Sequence, residues 1–262
     1  MPATQAQIDG GKAGRQSIEF ENVVAENKNG VLMEDALDIW GQRKTKSKTD
    51  VLTENHNYSV KNPDKASTST QIQVCSVDRF CRLFGINGNL KIQFNQFFGN
   101  HGFFKNTGKD KGKFQQHCIN QWNIDPSKLD PKNEIRRCRL LLSSVPEGDK
   151  LLNWFQDNME SVLTFVFKTS FNNPANIDAI ADTILWVEEK DNYSSKVEIN
   201  IDTLIRSIVS SATVKIRDHK RFGQSVIEIG PVTLQMKGSG HTASAYHSMQ
   251  FNASLNDIKK YV

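Results

Sequence analysis

At 262 residues, with 37% hydrophobic and 24% charged residues, the chain is long enough to bury a core as one large domain or two small ones. Its 33 Lys and Arg against 29 Asp and Glu leave a net charge of +4, a mild basic balance compatible with a polyanionic partner but shared by many enzymes. No apolar run approaches the roughly 18 residues that span a bilayer, and residues 1–10 show neither the basic nor the apolar part of a secretory signal, so neither a membrane nor a secreted protein is expected.

Residues 1–14 are small and polar, with Gly10, Gly11 and Gly14, and predict a loose arm. From Ser17 the residues Ile18, Val23 or Val24, Leu32, Ala36 and Ile39 recur at three- and four-residue steps, which predicts helix with a break at 27–30. Glu19 and Glu21 fall in its first turns, where carboxylates suit the helix dipole. Arg43, Lys44, Lys46 and Lys48 then crowd together, either as a solvated loop or as a phosphate-holding one.

Residues 48–61 predict a short β-hairpin: Asp50 and Val51 open one strand, 54–57 turn, and 58–61 return. Alternation puts Ser59 and Lys61 on one face of the return strand, with Tyr58 and Val60 on the other. In that register Asp50 lies near Ser59 and Lys61. A carboxylate, a hydroxyl and an amine at one sheet edge can hold a divalent cation and activate a water. The same residues also suit a plain surface hairpin, because short patterns recur by chance.

Pro63 stops the return strand, and 62–70 reads as a loop whose Ser67 to Thr70 offer N-caps. A helix is predicted next, with Ile72, Val77, Phe80 and Phe84 as core positions. Thr70, Gln71 and Gln73 at its start can touch base edges if DNA lies across the hairpin, or can serve only as a helix start. Between 84 and 112, Phe94, Phe97, Phe98, Phe103 and Phe104 mix with Lys105, Lys109 and Lys111. Inward packing of the phenylalanines is preferred there to nucleic-acid stacking.

Asp125-Pro126 and Asp130-Pro131 lead into a helical run at 133–144 carrying Arg136, Arg137 and Arg139, and a further helix is expected at about 150–159. The apolar runs 162–167 and 183–187 predict strands. Residues 200–209 predict a helix with Ile201, Leu204, Ile205 and Ile208 on one face, and 226–229, 232–237 and 248–252 predict strands. Cys75, Cys81, Cys118 and Cys138 form no Cys-x-x-Cys pair, and His117 beside Cys118 lacks partners at zinc-finger spacing. Free thiols of a soluble, cytoplasmic protein are expected.

Taken in order, a helix with Glu19, then Lys48-Thr49-Asp50, then Ser59-Val60-Lys61, then a loop and a helix beginning near Gln71 resemble the PD-(D/E)XK nuclease core. Within that superfamily the order resembles type II restriction endonucleases. Residues 232–238 (Val-Thr-Leu-Gln-Met-Lys-Gly), followed by Met249-Gln250-Phe251, are similar to a closing segment of some of these enzymes, including cutters of short GC-rich palindromes. Trp186 and its neighbouring strands fall in matching order, so the resemblance spans about residues 14 to 252. Two departures stand out. Ser59 occupies the second acidic position, and no proline precedes Asp50. Met236 and Ser239 also stand where those relatives often carry arginine and a second glycine, so DNA specificity does not carry over.

The resemblance implies a mixed α/β fold: a restriction-endonuclease-like core with a mixed central sheet flanked by helices, and extra C-terminal strands. It would form a single domain over 15–262, with a catalytic core at about 15–110 and a DNA-recognition part at about 111–262. It implies a type II restriction endonuclease that hydrolyses duplex DNA at a short specific sequence with Mg2+. Asp50 and the Val60 carbonyl would hold the metal, Lys61 would orient the attacking water, Ser59 would bond a metal water, and Glu19 would approach through another water. Arg43, Lys44, Lys46, Lys48, Thr70, Gln71, Gln73, Gln235, Lys237, His241 and Gln250 are the candidate DNA contacts. A cognate DNA methyltransferase is expected as partner, and a homodimer is one arrangement. Because Ser59 leaves the site one carboxylate short, a DNA-binding protein with a degenerate core and a repair or junction nuclease of the same superfamily stay open.

Overall fold

The computed structural model describes residues 5–35, 47–98, 145, 147–172, 177–217, 226–236 and 248–262. In chain order the first elements are helix α1 (Gln5–Lys28) and strands β1 (Val31–Leu32), β2 (Val51–Leu52), β3 (Asn57–Lys61) and β4 (Thr70–Ser76). Helices α2 (Val77–Leu83), α3 (Gly88–Phe98), α4 (Gly148–Asp157) and α5 (Met159–Thr164) follow, the last continued by a π-helical turn, Phe165–Thr169. Strands β5 (Thr183–Val187) and β6 (Lys196–Asn200), helix α6 (Ile201–Ser211), strands β7 (Val214–Ile216), β8 (Ile227–Ile229), β9 (Val232–Met236) and β10 (Ser248–Ala253), and helix α7 (Leu255–Ile258) complete the described chain. The mixed α/β class expected from the sequence is present. The chain folds as two compact units built from alternating stretches: Met1–Thr70, Leu163–Ile208 and Ser254–Val262 form one, Gln71–Val162 and Val209–Ala253 the other.

The first unit carries a five-stranded mixed sheet in the order β1-β2-β3-β5-β6. β3 and β5 run parallel, with Ser59 opposite Ile184 and Lys61 opposite Trp186, and the other pairs are antiparallel. Phe20, Val24 and Ala25 of α1 pack on Leu32, Val51, Tyr58, Val60, Leu185 and Val187 to form its core. Since Tyr58 and Val60 face α1, alternation turns Ser59 and Lys61 to the other face. α1 stops where the sequence breaks: Asn29 takes φ 50°, its N–H donates to Glu26 O, and the Gly30 N–H reaches back 2.8 Å to Ala25 O, a Schellman cap. Gly30 is needed for close approach, since a Cβ there would lie 2.4 Å from Leu52 O.

The second unit carries a sheet in the order β4-β10-β9-β8-β7, antiparallel from β10 through to β7. Ile227, Ile229, Val232, Leu234, Met249 and Phe251 are buried on one side. Phe80 of α2 centres an aromatic cluster with Phe94, Trp154, Phe155 and Phe251, at ring separations of 5.8, 5.9, 6.3 and 6.0 Å. The inward packing expected for Phe94, Phe97 and Phe98 is observed. Phe103, Phe104 and the lysines after them lie outside the described residues.

Several expectations need correction. α1 begins at Gln5, so residues 5–14 are helical rather than a loose arm. Val24 is the buried member of the Val23–Val24 pair, while Ile18 and Val23 are 39% and 38% exposed. Residues 162–167 are helical, not a strand; Val162, Leu163, Phe165, Val166 and Phe167 are all buried, and a helix buried all round shows no period that separates it from a strand. Residues 70–76 form β4, with the helix starting only after Ser76, whose Oγ caps it by accepting the Arg79 N–H. β6 and β7 were not anticipated. Cys75 and Cys81 are free and buried, and burial pushes their thiols up to about 12 and about 11, so both are inert. Cys118, Cys138, His117 and the predicted helix at 133–144 lie outside the described residues. No helix among the described residues is long and apolar enough to cross a membrane.

Candidate active site on the first sheet

The site follows from how short β2 is. The Asp50 N–H still donates to Tyr58 O at 2.8 Å, but β2 pairing starts only at Val51, so the next polar groups of β3 on that side have no strand to meet. The Asp50 side chain fills the gap, its Oδ2 accepting the Val60 N–H at 2.7 Å. The Val60 carbonyl points the same way and receives the Lys61 ammonium at 2.7 Å. Lys61 Nζ also donates to Ser59 Oγ at 2.8 Å and lies 3.7 Å from Asp50 Oδ2. Ser59 Oγ faces Asp50 Oδ2 at 3.4 Å, and Ser59 is only 1% exposed. The hairpin thus brings Asp50, Ser59, the Val60 carbonyl and Lys61 to one point.

Glu19 is exposed on α1 and Glu21 is half-buried. Residues two apart on a helix are separated by roughly 160° around its axis, so only one of them can face the sheet. Burial, then Asp50, push the Glu21 carboxyl from 4.5 up to about 7, opposed by Ser17, whose Oγ donates to Glu21 Oε1 at 2.8 Å, and by Lys61. The helix carboxylate coupled to the site is therefore Glu21. The sequence held a signal for it, since Glu21 sits beside Phe20 and three residues before Val24, both buried on that helix.

Lys48 is 6% exposed and its N–H donates to Ala179 O at 2.9 Å. Burial first, then Lys61, lower its ammonium from 10.5 to about 7, with Asp50 opposing. It is a buried neighbour of the cluster, not part of a solvated basic loop. Arg43, Lys44 and Lys46 lie outside the described residues.

Asp182, which the sequence did not single out, holds the hairpin in register. Its Oδ2 accepts the Asn57 N–H at 2.8 Å, and its Oδ1 takes the Thr183 hydroxyl at 2.5 Å and meets His56 Nδ1 at 3.0 Å. Its own N–H donates to Asn57 O at 3.0 Å.

The donors at the cluster are hard oxygens, and magnesium is commonly held by one or two carboxylates with several waters retained. No group of three or more His, Cys, Asp or Glu suited to a metal occurs among the described residues. The Lys61 ammonium itself lies among the Ser59, Val60 and Asp50 oxygens, which shows that the cluster favours positive charge. The donor set fits a weakly held magnesium ion.

The other nominated residues do not join this cluster among the described residues. Thr70, Gln71 and Gln73 lie on β4 rather than on a helix start; Gln71 is exposed, and Thr70 Oγ1 donates to Thr68 O at 3.2 Å. Gln235 and Gln250 are directly opposed on β9 and β10. Lys237 and His241 lie outside the described residues.

No protein-family model matches the chain, and no curated protein matches it. A likeness to a restriction endonuclease is found among solved structures. That enzyme is MspI, in complex with its cognate DNA; the chains are 14% identical, the TM-score is 0.38, and the match covers 79% of this chain and 64% of that one. At that identity and TM-score the likeness bears on neither the activity nor the site of this chain.

Proposed function

We propose that the chain is a Mg2+-dependent endonuclease hydrolysing phosphodiester bonds at a short specific sequence in duplex DNA, as a type II restriction enzyme does. The observation that supports this is the convergence of Asp50, Ser59, the Val60 carbonyl and Lys61 at 2.7 to 3.7 Å around one ammonium position. Asp50 and the Val60 carbonyl would hold the ion, which supplies charge neutralisation at the phosphoryl oxygens and acidifies water. Lys61 then turns from the Val60 carbonyl to orient the attacking water and to offset negative charge developing on phosphorus oxygens. Ser59, buried beneath, holds Lys61 and Asp50 at their spacing. Glu21, poised near neutrality, accepts the proton the water gives up. A cytoplasmic location, a cognate DNA methyltransferase and a homodimer belong to the same proposal.

Asp50→Ala and Lys61→Ala should each lower cleavage by about 10²–10⁴-fold while leaving calcium-supported DNA binding largely intact. Full cleavage by either variant with magnesium would sink the assignment. The wild-type assay is incubation with magnesium and unmethylated plasmid or phage DNA. Discrete fragments support a restriction enzyme, and smearing or structure-selective cuts indicate another nuclease. A shift without cutting indicates a binder with a degenerate core, the reading that Ser59 in the acidic position favours.

A further inference from the structure

The polar side of the second sheet holds a built arrangement. Gln235 lies opposite Gln250, and Thr233 opposite Asn252, across the β9–β10 ladder. Alternation puts these four on one face, while Leu234 and Phe251, also opposed, point to the aromatic core on the other. All four carry hydroxyl or amide groups and none is charged. Asn252 is 5% exposed although polar. Its side-chain Oδ1 accepts from Gln250 Nε2 at 2.8 Å, and its main-chain carbonyl accepts from Thr233 Oγ1 at 3.3 Å.

An amide on a strand can present either end outward. Here one N–H of Gln250 is given to the Asn252 acceptor, and the amide keeps a second N–H and Oε1. That is a donor–acceptor edge. In the major groove adenine offers the complementary pair, the N7 acceptor and the N6 amino donor, whereas guanine offers two acceptors and cytosine a donor alone. We propose that Asn252 is a positioning residue that holds the Gln250 amide in the orientation that reads adenine in duplex DNA. The inference rests on the duplex-DNA function proposed above and adds to it the base and the residue that sets the preference.

The test is selection of bound sequences from a randomised duplex library by the full-length protein, with calcium in place of magnesium. Wild type should favour adenine at one position by about 10- to 100-fold, the range of a good bidentate pair. Gln250→Ala and Asn252→Val should each flatten that same position to within about twofold, and the double variant should be no flatter than either, because the two residues act as one unit. Asn252→Asp, which keeps the acceptor, should retain the adenine preference. Gln250→Glu keeps the size of the side chain, accepts but cannot donate, and should exchange adenine for cytosine. Retention of adenine by Asn252→Val, or additive losses in the double variant, would overturn the role of Asn252, and retention of adenine by Gln250→Glu would overturn Gln250 as the reading residue. Selection of guanine or cytosine at the position that Gln250→Ala flattens would overturn the adenine assignment. Failure of the wild type to retain any duplex would overturn the DNA function itself, an outcome distinct from unchanged preference.

Discussion

Glu21 carries a proton in a range where an ordinary carboxyl has lost it, because burial and the nearby Asp50 raise it from 4.5 to about 7. Between those two values the native chain binds a proton that the unfolded chain has released. Stability is therefore fully present below 4.5, falls as pH rises through about 7, and is level beyond. Lys48 works in the opposite sense. Its native ammonium is lowered from 10.5 to about 7, so its burial costs stability below about 7 and the loss is recovered as pH rises towards 10.5. Glu21→Gln should remove the first effect alone. Thermal melts from 4.5 to just above 7 should show wild type losing ground to the variant as pH rises, and parallel curves would show that Glu21 titrates normally. The same window should shape catalysis, since only the ionised carboxylate can take a proton from water.

At the scale of elements, the hairpin works because something outside it holds its register. Asp182 ties the turn to the start of β5 through Asn57, Thr183 and His56. Asp182→Ala should cost about 1–3 kcal/mol through the unmet Asn57 N–H, measured by denaturant unfolding, and should lower cleavage further than that loss explains. A variant as active as wild type would show that register at Ser59–Lys61 does not depend on it. The hairpin itself was legible in the sequence, since period-two alternation fixes which side chains share a face, and so were β5 and α6, whose apolar residues sit at strand and helix spacing. The run at 162–167 was not, because burial on every side erases period, and β4 was missed because its Thr-x-Ile-x-Val alternation follows a stretch rich in N-cap residues. For the site, Asp50, Ser59 and Lys61 came from local spacing, and the Val60 carbonyl only from the family resemblance. Asp182 could not, because its partners lie some 125 residues away.

For the molecule as a whole, a net charge of +4 makes salt dependence the readable sign of phosphate contact. Arg43→Ala, Lys44→Ala and Lys46→Ala should each lower the slope of log affinity against log salt by about 0.9 for a phosphate contact removed. Lys48→Ala should leave the slope unchanged, since its ammonium is buried; a reduced slope would place Lys48 against DNA. The interleaved units also bear on the order of synthesis. β3 has its parallel neighbour in β5, about 125 residues downstream, and at about 5–20 residues per second the ribosome needs roughly 6–25 s to cover that distance. Until then Asp50, Ser59 and Lys61 sit on a hairpin that lacks both β5 and the Asp182 tie. An emerging chain, or one released early, should therefore be unable to cut. For a protein whose proposed substrate is the material of the genome, this order of assembly would keep unfinished copies harmless to the cell that makes them.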